Sequence, residues 1–324
     1  MQMLNLEAEL SKVASVAIAG HIRPDGDCVG SCMGLYLYIK DNFPAVKRLD
    51  VFLERIPPSM EFIQGTEAIK HDFLDEAPYE LFISLDSGDT GRLGAAAKYL
   101  DMAARTVCID HHISNKGYAD ENYIVPDASS TSELLYTLFD PEKISVPVAE
   151  ALYMGIVNDT GAFQYSCCSS KTMEIAGKLM DKGIDFTRIM DETFYQKTYL
   201  QQQILGRALL ESMMLFDGRC IVSGIRKKDM DFYGVTLADL DGISAQLRNT
   251  KGVEVAIFVY ETKNQEFKVS MRSNKFVDVS AVASYFGGGG HVRAAGCSMQ
   301  GSFHDVLNNL TAQIEKQFLR ENEQ

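Results

Sequence analysis

His21, Asp25 and Asp27 fall within the seven residues His21-Ile22-Arg23-Pro24-Asp25-Gly26-Asp27. Three further polar groups of the same chemistry stand apart from them. These are Leu85-Asp86-Ser87-Gly88-Asp89, Asp110-His111-His112 and Asn158-Asp159-Thr160-Gly161. Imidazole with carboxylate suits Mn²⁺, Zn²⁺ or Fe²⁺, and a carboxylate-rich set favours harder ions such as Mn²⁺ or Mg²⁺. Each group also has a plainer reading. Asp25 or Asp27 could cap a helix, Asp86 or Asp89 could close an Asx-turn, and Asn158-Asp159 could end a helix. Capping accounts for one aspartate near position 25, but not for a histidine and two aspartates together. Adjacent residues on an extended chain point oppositely, so His111 and His112 are expected to do different work.

These residues need elements to hold them. Val13–Gly20, Leu49–Leu53, Leu81–Leu85 and Thr106–Ile109 read as short buried strands. Cys28–Ile39, Thr131–Leu138 and Val148–Val157 read as helices. Apolar strands alternating with helices predict an α/β fold, with a mostly parallel sheet flanked by helices. Ligands of such sheets bind at the carboxyl ends of the strands. The candidate residues all fall just after a predicted strand or on a following helix. Asp185 to Leu215 reads as helical and could connect two domains. Beyond it, Cys220–Ile225, Val253–Tyr260 and Glu266–Arg272 read as strands, and Val277–Phe286 and Phe303–Leu319 as helices. They predict a second, smaller mixed α/β domain. The expected division is residues 1–185, a helical connector 186–215, and 216–324.

A fifth motif lies in that second domain. Met271-Arg272-Ser273-Asn274 is followed by Gly287-Gly288-Gly289-Gly290-His291. Glycines let backbone amides approach a phosphate and form an anion-binding nest. Arg272 can pair bidentately with a phosphate, and His291 is a short-range donor.

The chain has 324 residues and a net charge of −13. Residues 1–210 carry a net −12 and residues 211–324 a net −1. A broad acidic surface argues against tight, non-specific binding of long duplex nucleic acid, which relies on phosphate neutralisation. It leaves room for a small phosphorylated ligand. No apolar run approaches the roughly 20 residues of a membrane span. The N-terminus lacks the basic region of a signal peptide. The seven cysteines show no zinc-type pairing and suit a reducing cytoplasm.

Together the motifs resemble the DHH family of phosphoesterases, whose four N-terminal motifs occur here in order. The glycine-rich segment resembles the signature of the C-terminal DHH-associated domain. Within the family the resemblance, over nearly the whole chain, is greatest to the oligoribonuclease and 3′-phosphoadenosine 5′-phosphate phosphatase group. One departure is Cys28, where the family usually has a small residue such as Ala. Cys is also small and apolar, so little consequence is expected.

The resemblance implies two divalent metal ions, Mn²⁺ first, with Mg²⁺ or Co²⁺ as alternatives. It implies His21 and Asp25 at one ion, Asp27, His111 and Asp159 at the other, and Asp86 bridging. His112 would then bind the scissile phosphate, and Asp110 would orient a histidine. The implied reaction is in-line attack of a bridging hydroxide. Arg272, Ser273, Asn274, Gly288, Gly289, Gly290 and His291 would hold the substrate, in a cleft between the domains. Expected substrates are very short RNA, released as nucleoside 5′-monophosphates, and 3′-phosphoadenosine 5′-phosphate. Cyclic di-AMP or linear di-adenylate is the alternative. An inorganic pyrophosphatase fits less well, because that branch lacks the Gly287–His291 loop. A non-catalytic nucleotide-binding protein would be missing ligands, and none of the six is missing. Relatives often dimerise, so a homodimer is also expected.

Overall fold

The computed structural model describes residues 4–322. Residues 1–3 and 323–324, the outer ends of the two expected domains, lie outside it. The chain forms two compact units, Met1–Gln196 and Lys197–Gln324.

The first unit is built on a six-stranded sheet. In chain order its strands are β1 (Ser15–Ala19), β2 (Arg48–Phe52), β3 (Ile69–Lys70), β4 (Leu81–Leu85), β5 (Thr106–Asp110) and β6 (Glu121–Ile124). Their spatial order is β3-β2-β1-β4-β5-β6, and every pairing is parallel. The chain winds outward from β1 to β3, then restarts beside β1 at β4 and winds the other way. The strand order therefore reverses once, between β1 and β4. At such a reversal successive connections leave on opposite faces, and the carboxyl ends open into a crevice.

The helices of this unit are α1 (Leu6–Leu10), α2 (Gly26–Asn42), α3 (Ala97–Met102), α4 (Thr131–Leu138), α5 (Val146–Asp159), α6 (Ser170–Met180) and α7 (Phe186–Met190). Strand residues alternate between two apolar layers, as the two-residue period of a strand requires. Val16, Ile18, Leu81, Ile83 and Val107 pack with α2, α4 and α5. Ala17, Ala19, Phe52 and Phe82 pack on the other face with Tyr79, Leu93 and Tyr99. Helices α2 and α5 touch through glycine. A Cβ on Gly30 would lie 2.5 Å from the Ala151 carbonyl oxygen, and one on Gly155 2.7 Å from Asp27 Oδ1.

The second unit has a mixed sheet of β7 (Met213–Leu215), β8 (Cys220–Ile225), β9 (Val255–Lys263), β10 (Glu266–Ser273), β11 (Gly289–His291) and β12 (Ala294–Gln300), ordered β11-β12-β10-β9-β8-β7. Only the β8–β9 pairing is parallel. One face packs on α11 (Val279–Tyr285) and α12 (Phe303–Asn322), and the other on α8 (Tyr199–Leu210), α9 (Lys227–Tyr233) and α10 (Ile243–Arg248).

The α/β expectation holds in both units. The continuous helix read over 185–215 does not. After α7 the chain passes through a wide π turn at Asp191–Tyr195, becomes extended at Gln196, and restarts at α8. The restart is a capping box. Thr198 Oγ1 accepts from the Gln201 amide, and the Gln201 side chain accepts from the Thr198 amide. A Thr-x-x-Gln signal of this kind marks a helix start even inside a polar, helix-prone stretch. Met213–Leu215 then leaves the helical path as the edge strand β7.

Candidate metal centre

All six expected metal ligands lie in the first unit, at or near the carboxyl ends of β1, β4 and β5. His21 follows β1 and is buried. Its Nδ1 sits 2.8 Å from the Ile22 carbonyl oxygen. A carbonyl only accepts, so Nδ1 carries the hydrogen and the Nε2 lone pair is left for a cation. His111, just past β5, repeats the arrangement, with Nδ1 3.3 Å from the Ala128 carbonyl oxygen. His112 Nδ1 is 2.7 Å from Asp110 Oδ1. The two imidazoles do not point oppositely as an extended chain would place them: their ring centroids are 4.9 Å apart and both lie near Asp86 Oδ1, though their ring nitrogens have different partners. His111 turns Nε2 inward, to 3.0 Å from Asp159 Oδ2 and 3.4 Å from Asp86 Oδ1.

Asp86 is the hub. It is 2 % exposed and lies between the two inward-facing imidazoles. Oδ2 is 3.5 Å from His21 Nε2, while Oδ1 faces His111. Its backbone is left-handed, at φ 54°, which is uncommon for a residue with a Cβ and is tolerated best by Asn and Asp.

Asp25 does two things at once. As the N-cap of α2, its Oδ1 accepts from the Cys28 amide at 3.2 Å. Its Oδ2 is 3.5 Å from His21 Nε2. Asp27, on the first turn of the same helix, is fully buried. Its Oδ2 accepts from the Thr131 amide at 2.6 Å and its Oδ1 from the Ser132 amide at 2.9 Å. Asp159 ends α5.

The potential donor atoms converge in three overlapping sets: Asp27, His111 and Asp159; Asp86, His111 and His112; and His21, Cys28 and Asp86. Within each set they lie within 4.8 Å of one another. The second and third share Asp86. The Cys28 thiol therefore belongs to the donor cluster, a closer role than its small size alone suggested. Burial pushes this thiol well above its ordinary range.

The electrostatics of the cluster call for positive charge. Burial, with Asp86 and Asp159 nearby, pushes the Asp27 carboxyl well up. Burial and Asp86 push Asp159 the same way. Burial opposes charge on His21, yet Asp25 and Asp86 outweigh it and push the imidazole up to about 12. His111 is likewise pushed up to about 12 against burial, by Asp159 and Asp86. Asp86, against the same burial, is held well below the usual carboxylate range by His111 and His21. Four carboxylates and two imidazoles with their Nε2 atoms turned inward are the donor set of hard to borderline divalent cations. The residues fit such ions.

Asp110 is fully buried and acts from behind. Its Oδ1 accepts from the His111 amide at 2.8 Å as well as facing His112, and its Oδ2 accepts from Asn115 Nδ2 at 2.6 Å. The hydrogen bond that His112 donates to Asp110 raises its pKa against the opposing effect of burial. Asn115, which also donates to the Ser87 carbonyl at 3.1 Å, escaped the sequence reading. So did Thr131 and Ser132. The run Ser129-Ser130-Thr131-Ser132-Glu133 signals a helix start, but nothing in it points to a partner 104 residues away.

The residues expected to hold substrate lie in the second unit. Arg272 is half-buried on β10, and its Nη1 donates to the Met271 carbonyl at 2.9 Å. Ser273 is buried. Asn274 Nδ2 donates to the Val253 and Arg248 carbonyls at 2.7 and 3.2 Å, so its amide braces the loop. Gly289 to His291 form the exposed edge strand β11 rather than an open loop. A Cβ on Gly288 would lie 2.2 Å from the Gly296 carbonyl oxygen, and one on Gly290 2.5 Å from that of Ala294. Strand packing alone therefore requires glycine at 288 and 290. Gly289 faces open space.

Comparison with known proteins agrees with this architecture. Residues 15–156 match the DHH family, N-terminal domain, and residues 217–319 match the DHHA1 domain. The chain belongs to the DHH family and is a phosphoesterase, a hydrolase of a metal-dependent class. Within that family it is NrnA-like. It is 26 % identical to the bifunctional oligoribonuclease and PAP phosphatase NrnA of Bacillus subtilis, over 94 % of this chain and 95 % of that protein. It is 31 % identical to the probable bifunctional oligoribonuclease and PAP phosphatase NrnA of Streptococcus mutans, over 90 % and 91 %. An exopolyphosphatase-related protein from Bacteroides fragilis shares the fold, with a TM-score of 0.88 at 23 % identity, covering 96 % of this chain and 94 % of that one.

Proposed function

We propose that this chain is a Mn²⁺-dependent phosphodiesterase that degrades very short RNA to nucleoside 5′-monophosphates and removes the 3′-phosphate of 3′-phosphoadenosine 5′-phosphate. One observation carries the reading: Asp86 stands between two inward-facing imidazole Nε2 atoms, at 3.5 and 3.4 Å. A carboxylate with one oxygen toward each side is suited to bridge two ions. His21, itself beside Asp25, faces one oxygen, and His111, grouped with Asp27 and Asp159, faces the other. Bound there, divalent ions supply a nucleophilic water at neutral pH and charge neutralisation for phosphate oxygens. The remaining work falls to the chain. His112, its Nδ1 held by Asp110, offers Nε2 as a donor to a phosphate oxygen that gains charge. Arg272 supplies further donors for a phosphate. The names of the two relatives support the substrate class, as does an acidic chain ill-suited to long nucleic acid.

The test is a substrate panel on purified protein with Mn²⁺: a diribonucleotide, 3′-phosphoadenosine 5′-phosphate, linear di-adenylate and cyclic di-AMP. The expected products are 5′-monophosphates and AMP. Turnover of cyclic di-AMP alone would transfer the assignment to cyclic dinucleotides. No turnover by metal-loaded protein would refute it.

A further inference from the structure

Two carboxylates of the cluster share a neighbour. Thr131 is the first residue of α4 and is fully buried. Its amide donates to Asp27 Oδ2 at 2.6 Å, and its hydroxyl donates to Asp86 Oδ1 at 3.2 Å. The cap of α4 is filled separately, by Ser130 Oγ accepting from the Glu133 amide. Thr131 is therefore not needed to start the helix. Its two donors go to two carboxylates that arrive from different elements, the first turn of α2 and the end of β4.

We propose that Thr131 is a positioning residue of the metal centre, fixing Asp27 and Asp86 relative to each other. This rests on the assignment of both aspartates as metal ligands. Each carboxylate oxygen has about two acceptor sites. The Thr131 and Ser132 amides use one on each oxygen of Asp27, so the sites left over face away from α4. The case of Asp86 is more delicate. Its Oδ1 has His111 Nε2 at 3.4 Å and His112 Nδ1 at 3.6 Å beside it, the latter already bonded to Asp110. The Thr131 hydroxyl donates to that oxygen, holds it in place and so keeps Oδ2 turned to His21. Without the hydroxyl, the carboxylate is free to rotate toward either imidazole. Orientation of ligands by outer hydrogen bonds of this kind typically contributes about ten- to a hundredfold in metal affinity.

The experiment is Mn²⁺ titration of the full chain, with free Mn²⁺ followed by its electron paramagnetic resonance signal and no substrate present. Thr131→Val removes the hydroxyl but keeps the amide and the shape. It is expected to weaken Mn²⁺ binding about ten- to a hundredfold. Thr131→Ser, which keeps the hydroxyl, is expected to stay within a few-fold of the parent. Should Val fail to fold at this buried position, the comparison of Thr131→Ala with Thr131→Ser isolates the same hydroxyl. Equal affinity in the folded Val or Ala variant and the parent would overturn the proposal. So would equal weakening in Ser, which would make the effect one of packing. Asp86→Asn serves as the control. If it binds Mn²⁺ as tightly as the parent, the ligand assignment fails, and the proposal with it.

Discussion

Asp86 combines a central position with a backbone conformation that few side chains tolerate. Its φ of 54° means that the usual alanine test would add strain to the loss of the carboxylate. Asn adopts this region readily, so Asp86→Asn is the cleaner variant. It is expected to fold normally by circular dichroism. It should lose more than about a hundredfold in phosphodiesterase activity, beyond what an outer hydrogen-bond partner typically contributes. At this scale the sequence was informative about His21, Asp25, Asp27, Asp86, His111 and Asp159. A charged residue directly after an apolar strand has little reason to be there except chemistry. It was silent about Asn115 and Thr131. Their work is a hydrogen bond made across the fold, and residue type alone does not disclose a partner. It offered Asn274 as a substrate contact and was silent about the hydrogen bonds its Nδ2 donates to the Arg248 and Val253 carbonyls.

The α2–α5 contact sets the geometry of the centre at the level of elements. A Cβ on Gly155 would approach Asp27 Oδ1 to 2.7 Å as well as striking Ser132 Oγ. Gly155→Ala gains helix propensity of about 1 kcal/mol, yet overpacking a buried contact typically costs about 1–3 kcal/mol. We expect the clash to win. The variant should unfold at a lower denaturant midpoint, and its Mn²⁺ affinity should fall because Asp27 must move. An unchanged midpoint with unchanged affinity would contradict this account. Elements buried on both faces were legible. Leu81–Leu85, Thr131–Leu138 and Cys220–Ile225 stand where their apolar patterns placed them. Ile69–Lys70 and Glu121–Ile124 were not, because a two-residue strand and a half-buried edge strand carry no apolar signature. Strand β11 was hidden for another reason. Its glycines read as a loop, though the neighbouring strand requires Gly290, and Gly288 just before it.

On the proposed function the molecule as a whole divides its labour between two units, and the part assigned to the second has its own test. Arg272→Ala removes a guanidinium from β10 and leaves the six proposed metal ligands in the sequence. Loss of one charged hydrogen bond, worth about 1.5–3 kcal/mol, should raise KM by roughly tenfold to a hundredfold at nearly constant kcat. Steady-state kinetics on a diribonucleotide would check it, and a large fall in kcat at unchanged KM would contradict the role. The two-unit, α/β character was readable from the alternation of strands and helices. The break after Tyr195 is masked by the helix-prone residues around it, although Thr198 and Gln201 form the capping box that marks it.

The crowding of Asp27, Asp86 and Asp159 within one buried site has a consequence for the cell rather than for the reaction. A folded state that gathers like charges is one that mass action can rescue. Whatever cation the site accepts stabilises the native chain in proportion to the logarithm of its free concentration, by about 2.7 kcal/mol at a hundredfold excess over Kd. With the proposed ions bound there, the stability of the folded chain, as well as its activity, would be tied to metal supply.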